Sequence, residues 1–187
     1  EIPAGKYELE MSHASLHFKV SHMGLSNYTA RFTDFSADLD FDPANPENSS
    51  LKATVNPASI KTDYPKPEEK DFDKKLSTDQ NWFNTGEFST AEFVSTKIEK
   101  TGENTGKLTG NLTFLGQTKP LTLDVTYNGG YKQRPMSEVA ALGFSAHGVM
   151  KRSDWGFSQY VPMIGDDVEI ILELEFQQVT NQKATDE

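Results

Sequence analysis

Residues 108–127 read LTGNLTFLGQTKPLTLDVTY, and this stretch decides the fold. Apolar side chains occupy every second position in residues 108–114 and again in residues 121–127, the pattern of strands with one buried and one wet face. Between them, residues 115–120 contain Gly and Pro, which favour a turn. The stretch therefore predicts a short antiparallel hairpin, and Asn-Gly-Gly at residues 128–130 predicts a second turn.

The same alternation recurs along most of the chain. The clearest further runs are residues 16–20, 35–41, 51–55 and 170–176. Between positions 32 and 35 the apolar set moves from even to odd numbers, and a period of two cannot shift by one residue in a regular strand. We therefore expect a β-bulge at Thr33 and Asp34. Many short strands with hardly any helical period predict an all-β barrel or sandwich.

Residues 64–80 depart from this pattern. Phe72 and Leu76 lie four positions apart, and residues 68–76 have acidic residues early and lysines late, which favours a short helix aligned with its dipole. We expect this helix to lie over an end or a seam of the barrel. Residues 179–187 are polar and are predicted to form a flexible C-terminal segment. A length of 187 residues suits a single domain, 1–187.

Charge and composition exclude several classes of function. The formal net charge is −10, so the surface repels phosphate backbones, and neither nucleic-acid binding nor peripheral membrane binding is expected. The longest apolar run, residues 168–174, contains two glutamates and is far shorter than the ~20 residues that cross a bilayer. The chain begins at Glu1, as it would after removal of a signal peptide, so we expect export.

Metal binding and nucleophilic catalysis have little support in the sequence. His13 and His17 fall on a predicted strand, where positions four apart are separated by roughly 13 Å. Asp38, Asp40 and Asp42 form a row on the wet face of another strand, too spread out for one ion. The chain has no cysteine, no Gly-x-Ser-x-Gly and no glycine-rich phosphate loop. No metal and no cofactor are therefore expected.

Arg152 and Asp154 form the most distinctive polar group, in the segment Lys151-Arg152-Ser153-Asp154. They have two interpretations. Either they form an ion pair that fixes a turn, or they contact a ligand headgroup at the rim of the barrel, since a guanidinium suits phosphate or a polar ring oxygen.

Aromatic residues are the remaining candidates for a binding site. On a closed barrel, inward side chains either fill the interior or line a cavity, and alternation fits both interpretations. The candidates are Phe18, Phe32, Phe35, Phe93, Phe114, Phe144, Trp155 and Phe157.

Several segments resemble the YceI family of lipocalin-like bacterial proteins. Residues 110–121, GNLTFLGQTKPL, are similar to the family hairpin G-x-L-T-(hydrophobic)-x-G-x-T-K-P-(V/L), and residues 152–156, RSDWG, to its turn R-S-D-(F/W)-G. Other matching segments are residues 7–9, 12–18, 21–25, 57–62 and 165–168. The resemblance covers residues 6–177. The chain departs from it in residues 71–76, which follow a Pro-containing insert.

The resemblance implies an extended eight-stranded antiparallel lipocalin-like barrel, here with a short helix at one end. It also implies a periplasmic location and a polyisoprenoid or similar long-chain lipid as ligand in the interior, with neither catalysis nor a metal. For this ligand, we expect contacts to the lipid tail from Phe18, Val20, Phe32, Phe114, Leu123 and Phe144. Contacts to its polar end are expected from Ser21, His22, Arg152 and Asp154.

Two other functions stay open at this point. One is a lipid-modifying enzyme that uses His22 or His147 with Asp154. The other is a structural or stress-response barrel with a filled interior and no ligand. Strand edges also allow a homodimer, although nothing in the sequence argues for one.

Overall fold

The alternating runs fold into strands, as their period predicts, in the computed structural model of the protein, which describes residues 1–180. These residues form eleven strands in one antiparallel sheet and one α-helix. In chain order the elements are β1 (Gly5–Leu9), β2 (Ser15–His22), β3 (Ser26–Phe32), β4 (Phe35–Phe41), β5 (Ser50–Val55), β6 (Ile60–Lys61), α1 (Phe72–Thr78), β7 (Ala91–Lys100), β8 (Thr105–Phe114), β9 (Gln117–Tyr131), β10 (Ala141–Lys151) and β11 (Ile164–Gln178).

Eight strands close into a barrel in the order β1-β4-β5-β7-β8-β9-β10-β11. The closing pair joins β11 back to β1, with Tyr7 opposite Gln178 and Leu9 opposite Phe176. Nearer its start, β11 pairs instead with β2, which continues the sheet through β3 to the short edge strand β6. The predicted eight-stranded antiparallel barrel is therefore confirmed, with an extension at one end.

The two ends of the barrel carry different connections. The helix end holds α1, the β2–β3 turn (residues 23–25), the β8–β9 turn (residues 115–116) and the segment 152–163. The far end holds the loops that join β4 to β5, β7 to β8 and β9 to β10. No helix within residues 1–180 has the length and the apolar content needed to cross a bilayer.

The change of phase at Thr33 and Asp34 marks a break between two strands, so the predicted bulge is wrong. β3 pairs with β2 and β6 in the extension, whereas β4 pairs with β1 and β5 in the closed ring. The backbone N–H groups of Thr33 and Asp34 donate to the hydroxyl of Ser59 at 3.2 and 3.0 Å. The break thus allows one run of sequence to serve both parts of the sheet.

The predicted hairpin between β8 and β9 is confirmed, and its turn is tighter than expected. Only Leu115 and Gly116 lie outside the strands, with φ of 50° and 74°, as in the two-residue turns that match the twist of paired strands. The turn predicted at residues 128–130 is wrong. β9 runs through these residues with a register shift opposite Gly143, and Gly129 (φ 127°) adopts a conformation that suits glycine at a bulge.

The predicted short helix is confirmed as α1. The Asp71 side chain caps it by accepting a hydrogen bond from the backbone N–H of Lys74 at 3.0 Å. Leu76 is buried against Ile60 and Phe83, which fastens the helix over the helix end of the lumen.

The C-terminal segment predicted to be flexible, residues 179–187, is described only at its start. There the backbone N–H of Val179 donates to the carbonyl of Lys6 at 2.9 Å, which continues the pairing of β11 with β1. Residues 181–187 lie outside the described residues, so their predicted flexibility stays a prediction.

Candidate functional site

The inward side chains of the barrel leave a cavity of about 990 Å³. This volume is at the upper end of the range of ligand sites, ~300–1,000 Å³. All eight strands of the ring contribute to its lining, which also includes residues from the loops of both ends. The interior is therefore not filled by its own side chains, which argues against the alternative of a filled barrel.

Alanines keep space free within the barrel. Ala37 and Ala53 lie opposite each other on β4 and β5, and both line the cavity, as does Ala146 on β10. Small inward side chains leave lumen that larger ones would occupy. The sequence interpretation concentrated on aromatic residues and missed these positions, although Ala37 and Ala53 stand on the inward phase of the runs 35–41 and 51–55.

An aromatic cluster closes much of the lumen at the helix end, and we call it the helix-end cluster. Its centre is the buried Phe83, whose ring centroid lies 5.7 Å from Phe32, 6.1 Å from Phe114 and 5.5 Å from Phe157. Phe18 extends it through a 5.7 Å contact with Phe32. Phe83 belongs to no alternating run, so sequence reasoning did not identify it.

A second aromatic group, the far-end cluster, surrounds Phe144. The Phe144 ring lies 6.4 Å from Phe41, 5.4 Å from Tyr127 and 5.9 Å from Phe176. Tyr7 packs edge-on against Phe41, and its hydroxyl donates to the carbonyl of Pro3 at 2.7 Å. Burial raises the pKa of Tyr7 and of Tyr127, so both side chains stay neutral around neutral pH.

Arg152 is the buried cation of the site. Its side chain borders the cavity and is only 2% exposed. Nε donates to the carbonyl of Gly165 at 2.8 Å, Nη1 to that of Phe157 at 2.9 Å, and Nη2 to those of Gln159 and Ile164 at 2.7 and 3.0 Å. Burial lowers its pKa, although an arginine remains charged through shifts of this kind. Arg152 thus holds residues 157–165 in place through four backbone carbonyls.

The predicted ion pair between Arg152 and Asp154 is wrong, because another acid fixes this turn. Asp166 accepts hydrogen bonds from the backbone N–H and the hydroxyl of Ser153, at 2.8 and 2.7 Å. Although burial raises the pKa of Asp166, these two hydrogen bonds bring it below its ordinary value. Asp154 is exposed and does not line the cavity.

The YceI-like domain matches residues 7–176, almost the whole of the described chain. The chain belongs to the YceI family. A UPF0312 protein of Ectopseudomonas mendocina is 35% identical over 163 residues, which cover 87% of this chain and 81% of that relative.

Several solved structures share this fold. The YceI protein of Campylobacter jejuni is 32% identical, with a TM-score of 0.74 over 87% of this chain and 91% of that one. A polyisoprenoid-binding domain of Saccharophagus degradans is 16% identical, with a TM-score of 0.66 over 92% of this chain and 98% of that one. The second likeness establishes the fold alone.

Most of the predicted ligand-binding residues lie in the wall of the YceI cavity. These are Phe18, Val20, His22, Phe32, Phe35, Phe93, Phe114, Leu123, Phe144, Arg152 and Phe157. Their position is compatible with ligand contact, and the contact itself stays a prediction.

Three predicted residues lie outside the wall of the cavity. Ser21 follows the inward Val20 on β2 and therefore points to the other face of the sheet. Asp154 is on the exposed turn, as described above. Trp155 is buried behind the wall, where its indole N–H donates to the carbonyl of Leu112 at 2.9 Å. These three residues are dropped from the proposed contact set.

The YceI barrel carries one cluster of metal-ligating side chains within its described residues, on the outside. Ligand atoms of Glu10, His13 and Glu175 lie within 4.8 Å of one another. The members of the cluster already have partners, since His13 Nδ1 lies 2.5 Å from Glu10 and the neighbouring Arg134 lies 3.6 Å from Glu175. Glu175 lies on β11, which also contributes to the cavity wall, but none of the three residues lines the cavity. His17, the other histidine considered as a metal ligand, is not part of the cluster.

Proposed function

We propose that this YceI barrel binds a long-chain lipid of the polyisoprenoid type in its lumen and carries or sequesters it. The observation that carries the proposal is the cavity of about 990 Å³ with its predominantly apolar wall. The Saccharophagus degradans neighbour is described as polyisoprenoid-binding, which supports the same class of ligand. A periplasmic location is part of the proposal, since such lipids need carriers where they must cross water.

Burial of the lipid tail supplies enough free energy for binding without a polar anchor. Each buried methylene contributes about 0.8 kcal/mol, so ten contribute roughly 8 kcal/mol. Association and ordering of the tail cost several kcal/mol, which leaves room for micromolar affinity or better. In this proposal the tail lies along Phe18, Val20, Phe32, Phe114, Leu123 and Phe144.

The polar end of the lipid is proposed to lie at the helix end. His22 and Ser26 line the cavity there and are exposed to water. Tyr28, close by on β3, has its pKa raised by burial and stays a neutral hydrogen-bonding group. Arg152 supports this end from behind, with most of its donors bound to carbonyls.

The function is proposed to be non-catalytic. His147 lies on the exposed outer face of β10, and Asp154 lies outside the cavity wall. His22 therefore lacks its predicted partner Asp154 in the lumen, and a hydrolase would need such a partner to activate a nucleophile.

Extraction of the purified protein with organic solvent, followed by mass spectrometry, tests the proposal. The wild type is expected to release a prenyl or acyl chain. Ala146→Trp, which fills the lumen, is expected to lose at least about 90% of it, because overpacking excludes the guest. Val149→Trp is the matched control on the same strand, with its side chain exposed on the outer face.

Ala53→Leu provides a milder block on the opposite wall. If the wild type releases no lipid and takes up no added polyisoprenol, or if both blocked variants bind as well as the wild type, the proposal is wrong. Turnover of a lipid ester that is lost in His22→Ala would instead favour an enzyme. Fractionation of the source cells tests the periplasmic location.

A further inference from the structure

Five exposed apolar side chains lie together at the helix end, and we call them the apolar rim: Met23, Leu25, Tyr160, Val161 and Met163. Leu25 is 83% exposed and Met163 is 58% exposed. The backbone N–H of Met23 donates to the carbonyl of Met163 at 2.7 Å, so the β2–β3 turn and the loop before β11 stand side by side. Exposed apolar groups of this kind mark surfaces of interaction.

The apolar rim is continuous with the wall of the cavity. His22 and Ile164, which immediately flank it in the sequence, face each other across β2 and β11, and both line the cavity. The Trp82 side chain also lines the cavity, and its ring lies 6.1 Å from that of Tyr160. A lipid tail leaving at this end would therefore pass from the cavity wall directly onto the rim.

The rim is also free of formal charge in a strongly acidic chain. Residues 20–30 and 155–165 contain no Asp, Glu, Lys or Arg, whereas the whole chain has a formal net charge of −10. The cavity lining at the far end is different, since it includes Glu99, Lys100 and Glu103. The charge of the whole chain disfavours anionic surfaces, but it does not act against contact between the rim and a neutral apolar one.

We propose that the apolar rim docks on a lipid bilayer, with the tips of the two loops inserted at the interface. Docking of this kind rests on the proposed function, because it would let a lipid tail pass between the bilayer and the lumen without contact with water. Protruding Leu and Met tips with a neighbouring Tyr suit the apolar–polar boundary of a bilayer. Because the rim carries no formal charge, the bilayer that it suits is one with zwitterionic headgroups, and salt should not weaken the binding.

Co-sedimentation with phosphatidylcholine vesicles tests the docking. The wild type is expected to sediment with them equally well at low and high salt, and less well when phosphatidylglycerol is added. Leu25→Asp combined with Met163→Asp is expected to reduce binding at least about tenfold, because two charges would enter the interface. Met136→Asp, on a fully exposed methionine in the far-end loop, is the matched control and is expected to bind as the wild type does.

Lipid extraction from the same variants separates this inference from the proposed function. The rim variant is expected to retain its co-purified lipid but to exchange a fluorescent polyisoprenol with vesicles more slowly. Leu25→Ser with Met163→Ser repeats the test without added charge. If the wild type does not bind the vesicles, or if the variants bind them equally well, the docking is wrong whatever the extraction shows. A concentration-dependent dimer that the variants abolish would identify a second copy as the occupant and would also overturn it.

Discussion

The two ends of the barrel are built from similar aromatic clusters but differ in how they meet water. At the helix end, the cluster around Phe83 lies behind an uncharged apolar rim and beside the buried Arg152. At the far end, the cluster around Phe144 lies behind a border that includes Glu99 and Glu103. The two borders of the lumen therefore differ in charge, which distinguishes the two routes by which a ligand could enter or leave.

The difference begins in the loops. The far-end loops are short connections that each carry at least one charged residue, while the helix end receives the extension of β2, β3 and β6 together with α1. The extension has an edge at β6, and the side chains of α1 and Phe83 cover the space beside it. The helix end is thus covered by a layer of packed side chains, which is easier to open than hydrogen-bonded strands.

The largest expected effect comes from removing the cation of the helix end. Arg152→Met leaves four backbone carbonyls without their donor, and we expect the free energy of unfolding to fall by at least about 3 kcal/mol. Tyr7→Phe removes the single Tyr7–Pro3 hydrogen bond at the far end and should cost about 1 kcal/mol. Urea unfolding of both variants measures the difference. Equal losses of unfolding free energy in the two variants would show that the hydrogen bonds of Arg152 contribute no more to stability than the single Tyr7–Pro3 hydrogen bond.

A smaller effect is expected on ligand release. Phe83→Leu loosens the helix-end cluster by about 1 kcal/mol, which should raise its open fraction and the release rate of a fluorescent polyisoprenol roughly fivefold. Phe144→Leu makes the same change in the far-end cluster and should leave the rate unchanged. Stopped-flow release into excess vesicles measures both rates. A similar acceleration in Phe144→Leu would mean that the ligand uses both ends.

The strands of both ends could be predicted from the sequence, but their partners could not. Alternation depends on neighbouring residues, so runs such as 35–41 indicated strands and their inward faces directly. Closure of the ring joins Tyr7 to Gln178, and no local period carries information about so distant a pair. The shift at Thr33 was visible, yet the break that it marks is held by Ser59, which only the folded chain brings near.

The site was predictable to a similar degree. Aromatic residues on inward phases line the cavity, and the inward alanines that leave it open could have been noticed in the same runs. Arg152 was identified, but its partner was predicted to be Asp154 because charge suggested an ion pair. Its actual partners are carbonyls of residues 157–165, and the path of a loop backbone cannot be inferred from residue types.

The smallest expected effect lies where β11 changes partner from β1 to β2. Glu10 accepts hydrogen bonds there from the hydroxyl and the backbone N–H of Ser12, and it lies 2.5 Å from His13 Nδ1. The Ser12 hydroxyl is the chief cause that lowers the pKa of Glu10 below 4.5, with burial opposing it. Because the pKa of Glu10 is lower in the folded than in the unfolded chain, its ionised carboxylate stabilises the fold at pH values above the unfolded-state pKa. This stabilisation is lost as the pH falls through the folded-state pKa.

Glu10→Gln should therefore cost about 0.5–1 kcal/mol near neutral pH, and its unfolding free energy should converge with that of the wild type as the pH falls below 4.5. Ser12→Ala should reproduce most of the loss, since it removes the donor. A constant difference in unfolding free energy between Glu10→Gln and the wild type at every pH would contradict this origin.

If the two ends are independent, combining Glu10→Gln with either Arg152→Met or Tyr7→Phe should give additive losses of unfolding free energy within about 0.5 kcal/mol. A larger coupling with one end only would show which end the β11 junction supports.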